Sequence, residues 1–166
     1  TVNEIVMACV EMSNVKTGAL IVIEREQALT DYESTGINID AIVSSERLIN
    51  IFEHNTPSHD GAVIISGNRV TAATCYLPLT DKVNISKALG TRHRAGVGIS
   101  EAADSITIIV SEETGRISLA VDGNLYRNLD DEKLKERLMD LLKLNIVEKE
   151  PKNKRLKVKK ERKGKA

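Results

Sequence analysis

Aromatic side chains are almost missing from this chain: no tryptophan, one phenylalanine and three tyrosines in 166 residues. That scarcity argues against a stacking platform for single-stranded nucleic acid, and no nucleic-acid partner is expected. Cysteine is as scarce. Cys9 and Cys75 form no CxxC pair and have no zinc-type spacing with histidine, which fits a reduced, cytosolic setting. No apolar run approaches the roughly 18–20 residues of a membrane span, and no signal peptide is visible. Several catalytic signatures are missing too. There is no GxxxxGK followed by Ser or Thr, no HExxH and no GxSxG. Gly96-Val97-Gly98 is followed by Glu101 where the dinucleotide fingerprint requires a third glycine.

What is present is enough for one domain with one sizeable core. Its charge is balanced overall but unevenly distributed. From Lys149 to Ala166 ten lysines or arginines face two glutamates, a net of +8, so residues 1–148 carry −8 against a whole-chain charge of zero. Like charges in blocks stay solvated. The expected organisation is a folded domain over 1–148 and a basic tail over 149–166, with Pro151–Ala166 outside the fold. The chain begins with Thr1 and enters a helical pattern at once, the look of an excised domain, which leaves room for a membrane anchor upstream.

Val2, Ile5, Val6, Cys9 and Val10 recur at helical spacing, which predicts a helix over 2–14 ended near Gly18. Ala19–Ile23 is a continuous apolar run and reads as a buried strand. Thr30-Asp31-Tyr32-Glu33 has capping-box spacing and predicts a short helical turn. Ser44 or Ser45 caps a helix through Phe52, with Leu48, Ile49 and Phe52 on its apolar face. Ala62–Ile65 and Val70–Tyr76 read as strands around Ser66-Gly67-Asn68. A short helix is expected at Ile85–Leu89 and a longer one over Arg92–Ala103. Ser105–Val110 and Ile117–Val121 are strands joined by a turn at Ser111–Gly115. Asp130 caps a last helix whose stripe is Leu134, Leu138, Leu141 and Leu142. The mixture predicts an α/β fold, a single domain with a mixed central β-sheet flanked by helices.

Two short tracts carry the chemistry. Taken alone, Asp60-Gly61 is a common turn. Here it opens the apolar run Ala62–Ile65, so Asp60 belongs at a strand mouth, and His59 beside it is a second candidate ligand for a cation. Gly61 has no Cβ and lets backbone approach a ligand. The second tract is Gly90-Thr91-Arg92-His93-Arg94, followed by the small residues Ala95, Gly96, Val97 and Gly98. Taken alone it is a solvated charged face. As the start of a helix it is a phosphate site, with Thr91 as the cap, free backbone N–H groups, and forked hydrogen bonds from Arg92 and Arg94. His93 is either a phosphate contact or a packed histidine. Ser111, Glu112, Glu113 and Thr114 end a buried strand, where a carboxylate and a hydroxyl can assist at a metal–nucleotide site. Tyr76 and Leu77 are either core or the apolar slot a purine needs. His54 reads as structural or surface.

Together these tracts resemble the Asp-Gly-Ala and Arg-His-Arg motifs of diadenylate cyclases. The resemblance extends to Gly18–Arg25 (GALIVIER), Ser45–Phe52, Thr56–Ala62, Tyr76-Leu77-Pro78-Leu79, Gly90–Glu101 and Ile108–Gly115 (IIVSEETG), in order over roughly residues 4–128. It is strongest to the membrane-linked branch of Firmicutes. Ser58 and Gly96 depart from the family pattern, and neither removes a functional group. The resemblance implies the diadenylate cyclase fold and the condensation of two ATP into cyclic di-AMP with loss of two pyrophosphates, dependent on Mg²⁺ or Mn²⁺. It implies a homodimer whose protomers meet face to face, and a place at the cytoplasmic face of the cell membrane. Residue by residue, it implies Asp60 as the metal-binding catalytic carboxylate with His59 as a further metal contact. Gly61 and Ala62 lie at the nucleotide, and Tyr76 and Leu77 at the adenine. Thr91, Arg92, His93 and Arg94 hold the triphosphate, the last three also serving catalysis, helped by Ser111 and Glu113. The rival readings are a nucleotide-sensing module without turnover, and an interaction protein acting through its basic tail.

Overall fold

Five apolar residues in a row leave a strand no polar face, and Ala19–Ile23 is accordingly covered on both sides. The computed structural model describes residues 1–82, 84–85 and 89–143. Its elements are α1 (Val2–Asn14), β1 (Ala19–Glu24), α2 (Thr30–Glu33), β2 (Ile37–Ile42), α3 (Ser45–Phe52), β3 (Ala62–Ser66), β4 (Arg69–Cys75), α4 (Thr91–Ala102), β5 (Ser105–Val110), β6 (Ile117–Val121), β7 (Asn124–Leu129) and α5 (Asp131–Leu141). The strands form one seven-stranded sheet in the order β2-β4-β3-β1-β5-β6-β7, so β1 is its middle strand. β1 runs parallel to β3, with Ile21 opposite Val63, and antiparallel to β5, with Ile21 opposite Ile108. The remaining pairs are antiparallel. This is the single α/β domain with a mixed, helix-flanked sheet that the residue pattern predicts.

Side chains alternate across a strand, and this divides the core into two layers. Ala19, Ile21 and Ile23 join Val63, Ile65, Ile106 and Ile108 against α1, α3 and α5. Leu20 and Val22 join Ile64, Ile109 and Ala120 against α4. Ser44 caps α3 through the Arg47 N–H at 3.1 Å, and Asp130 caps α5 through the Lys133 N–H at 2.8 Å. Leu134 and Leu138 are buried, while Leu141 and Leu142 pack partly against the same layer. On α3 the buried set is Leu48, Ile51 and Phe52; Ile49 is only partly covered.

Four expectations need correction. β2 and β7 are strands that periodicity did not reveal, and both are sheet edges. Leu29, not Thr30, caps α2, and Glu33 uses its carboxylate on the Thr71 hydroxyl at 2.9 Å instead of closing a capping box. Gly90, not Thr91, caps α4. Strand β4 stops at Cys75, leaving Tyr76 in the following loop. The helix expected at Ile85–Leu89 falls partly on residues 86–88, and the tail at 149–166 wholly, outside the described residues.

α4 meets the loop after β4 closely. A Cβ on Gly98 would lie 1.9 Å from the Pro78 carbonyl oxygen, and the Thr80 N–H donates to the Arg94 carbonyl at 3.1 Å. Backbone cannot yield as a flexible side chain does. Gly98→Ala is therefore expected to cost about 1–3 kcal/mol of stability, as overpacking usually does. Urea unfolding of the wild type and the variant measures the difference.

Candidate active site

The pairing pattern delivers six strand ends to one border of the sheet. β1 and β3 begin there, β4 and β5 end there, β6 begins and β7 ends there, and α4 starts above them. A cavity of about 860 Å³ opens at this border, within the range of small-molecule and cofactor sites. His59, Asp60, Gly61, Tyr76, Leu77, Thr91, Arg92, His93, Ser111 and Glu113 all line it. Residues thirty positions apart in sequence thus share one space.

The mouth of β3 is built by backbone geometry. Gly61 has a φ of +80°, and a Cβ there would sit 2.8 Å from the Thr74 carbonyl carbon. Its glycine is required by the neighbouring strand as well as by any ligand. This turn leaves the Asp60 side chain 84% exposed at the cavity, free to bind a cation. His59 Nδ1 lies 2.6 Å from the Thr56 carbonyl oxygen. A carbonyl only accepts, so Nδ1 carries a proton, and Nε2 is the ring nitrogen that faces the cavity. That Nε2 is 3.5 Å from Asp60 Oδ1. One nitrogen and one carboxylate at this separation suit two positions of a single metal ion. Among the described residues no group of three or more His, Cys, Asp or Glu side chains could hold a metal. A metal ion held by this pair would have to take its remaining ligands from outside these side chains.

The start of α4 forms the facing wall. Its cap residue has no side chain, so no side chain bonds to the first N–H groups, which remain available to an anion. Arg92 points into the cavity, 3.4 Å from Glu112, and packs over Gly18, where a Cβ would lie 2.5 Å from its guanidinium. His93 is buried, and burial lowers its pKa, with the Arg127 and Arg92 guanidinium groups pushing the same way. At neutral pH it is an uncharged imidazole. Arg94 and Ala62 do not line the cavity. Successive helical residues turn by about 100°, so Arg94 leaves the face that Arg92 occupies. Ala62 is buried in the layer beneath α4.

The other walls follow from strand ends. Ser111 Oγ accepts the Glu113 and Thr114 N–H groups, both at 3.2 Å, and so shapes the loop that carries Glu113. Tyr76 is 76% exposed and offers an open ring face, with Leu77 beside it. Burial, with a smaller contribution from Glu33, pushes the Cys75 thiol up to about 11, leaving a neutral wall. The residue pattern did not reveal Gly18 as the seat of Arg92, nor Leu20, Arg116, Ser118 and Arg127 as lining residues. His54, read as structural or surface, also lines the cavity, its ring 5.6 Å from that of His59.

The model of the DAC family, described as DisA bacterial checkpoint controller nucleotide-binding, matches residues 6–125. The chain belongs to this family. Among related DAC proteins, cyclic di-AMP synthase CdaA of Bacillus subtilis is 56% identical over 145 residues, covering 87% of this chain and 53% of that protein. A diadenylate cyclase of Listeria monocytogenes is 52% identical over 140 residues, covering 84% of this chain and 51% of that one. The chain thus spans about half the length of these relatives. A crystal structure of a DacA double mutant from Staphylococcus aureus superposes with a TM-score of 0.83 at 50% identity, over 85% of this chain and 94% of that one. A hypothetical membrane spanning protein from Bacillus cereus gives 0.74 at 41%, over 77% and 63%. Among the described residues of this DAC chain, no helix is long and apolar enough to cross a membrane.

The lowered pKa of His93 has a measurable consequence. The unfolded chain takes up a proton near the ordinary imidazole value, while the folded chain resists it. The unfolded state therefore binds more protons as pH falls below about 6.5, and stability drops there. Between about pH 7.5 and about pH 5.5, the melting temperature of wild-type protein should fall further than that of His93→Gln. Thermal scans across that range check this.

Proposed function

We propose that this protein is a diadenylate cyclase, joining two ATP molecules into cyclic di-AMP with release of two pyrophosphates. The observation that carries the reading is the convergence of Asp60, His59, Arg92 and His93 on one cavity, in a chain of the DAC family. The names of the relatives CdaA and diadenylate cyclase support it.

Each residue then has a definable task. Tyr76 and Leu77 receive the adenine. Thr91, Arg92 and the N–H groups of α4 bind phosphate oxygens, and Arg92 exchanges Glu112 for the nucleotide. A Mg²⁺ or Mn²⁺ ion held by Asp60 and His59 supplies charge neutralisation at the α-phosphate. Neutral His93 donates one hydrogen bond and adds no further charge. Ser111 keeps Glu113 facing the site. Arg94 acts through its backbone, whose carbonyl holds the Thr80 N–H of the facing loop, and Ala62 through the floor of the site. The 3′-hydroxyl of one ATP attacks the α-phosphorus of the other and pyrophosphate leaves in line, so positioning carries most of the rate.

One cavity holds one nucleotide, so the second substrate comes from a second protomer, across a symmetric face-to-face homodimer. The openness of Asp60 and Tyr76 to solvent supports this arrangement. We place the domain at the cytoplasmic face of the cell membrane, anchored by chain outside this segment. The greater length of the relatives and the membrane-spanning description of one structural neighbour support that placement.

Incubation of the protein with ATP and Mn²⁺ or Mg²⁺ should yield cyclic di-AMP and pyrophosphate, resolved by chromatography. Specific activity should rise with protein concentration. Asp60→Asn should lower turnover on the order of 10³-fold without changing the melting temperature, because the side chain is exposed. ATP binding without product under either metal would instead identify a nucleotide-sensing module.

A further inference from the structure

The cavity has a direction that its motif residues do not account for. Tyr76 and Leu77 stand at the end of β4, Asp60 and Gly61 at the start of β3, and Arg92 and His93 above β1. Arg116 and Arg127 stand at the β6 and β7 ends. Because strands lie about 4.8 Å apart, the sheet order arranges these groups along a line from β4 to β7. The apolar and aromatic groups occupy one end and two guanidinium groups the other.

Arg127 reaches the cavity through strand parity. Leu125, two residues before it, packs in the layer beneath α4, whereas Tyr126 packs in the opposite layer. Arg116 shares its strand face with Ser118 and Ala120 in the same way, and buried Ser118 lines the cavity between them. Neither guanidinium makes an ion pair or hydrogen bond with a described residue, whereas Arg92 already has Glu112. Arg127 is also close enough to His93 to discourage its protonation. Two guanidinium groups beside a neutral imidazole, with Arg116 lining the same cavity and only Arg92 near a carboxylate, form a surplus of positive charge that a polyanion relieves.

We propose that Arg127, with Arg116 beside it, binds the terminal phosphates of the nucleotide and then the departing pyrophosphate, selecting triphosphates by their length. This rests on the ATP reading above, but it assigns residues outside both sequence motifs. It also explains a wide separation along the chain: the purine end is built by residues 76–77 and the phosphate end by residues 116 and 127.

The test is direct binding, which needs no turnover. Inorganic pyrophosphate and AMP are titrated calorimetrically into wild type, R127Q and R127K at fixed ionic strength, with melting temperatures measured alongside. R127Q should weaken pyrophosphate binding about tenfold, the scale of one charged hydrogen-bonded contact. AMP binding should stay within about twofold, and R127K, which keeps the charge without the fork, should fall between. In turnover, R127Q should raise the KM for ATP and weaken pyrophosphate inhibition by a similar factor. Unchanged pyrophosphate affinity in R127Q overturns the proposal, and so does a parallel loss for AMP and pyrophosphate. If pyrophosphate binding depends on Arg127 while the wild type makes no cyclic di-AMP, the phosphate wall stands and the cyclase reading falls.

Discussion

The position of β1 between a parallel and an antiparallel neighbour is the constraint on which the site depends. Its residues are buried on both faces, so a slip of one register position would move every side chain into the wrong layer. That locks the strand relative to β3 and β5. With β1 fixed, the starts of β1 and β3 and the ends of β4 and β5 meet at one border. The turn carrying Asp60, the Gly18 backbone beneath Arg92 and the loop after Val110 are then neighbours by construction. A hydrophobic register thus positions polar groups that never touch one another in sequence.

Within that frame the site is an exercise in charge balance. A nucleotide triphosphate brings about four negative charges, and a cavity lined only by cations would repel itself when empty. The structure moderates this in two ways. Glu112 sits beside the half-buried Arg92 at 3.4 Å, with its own carboxylate open to solvent, where screening keeps the pair exchangeable. His93 is kept neutral by burial and by the guanidinium groups near it, so it adds a donor and no charge. The aspartate at the opposite side is left open to solvent, where a carboxylate pays little desolvation.

The central fold was readable because burial on two faces leaves a strong signal. ALIVI in β1 and SITIIV in β5 admit few other readings, and the side-chain caps Ser44 and Asp130 announce their helices. The edge strands were unreadable for the converse reason. INIDAI in β2 and NLYRNL in β7 touch the core on one side only, and both are interrupted by positive-φ residues, Asp40 and Asn128, with shifts in pairing that blunt an edge. The motif parts of the site were legible because their residues are contiguous. Arg116, Arg127 and Gly18 were not, since a single residue near a strand end acquires meaning only from what the sheet places beside it. Arg94 shows the converse: it is adjacent to Arg92 in sequence, but helical rotation sets it off the cavity that Arg92 lines.

Ser13, at the end of α1, donates its hydroxyl proton to the Gly115 carbonyl, and the Gly115 N–H returns to Ser111 at 2.9 Å. The loop bearing Glu112 and Glu113 therefore has its abutment on a helix as well as on the sheet. α1 in turn is anchored by Ile5, Ala8, Cys9 and Met12, all almost fully buried. The first helix and the acidic loop thus behave as one mechanical part. The stretch from Ser111 to Gly115, which carries Glu112 toward Arg92, is thereby pinned at its far end to a helix that is itself buried in the core.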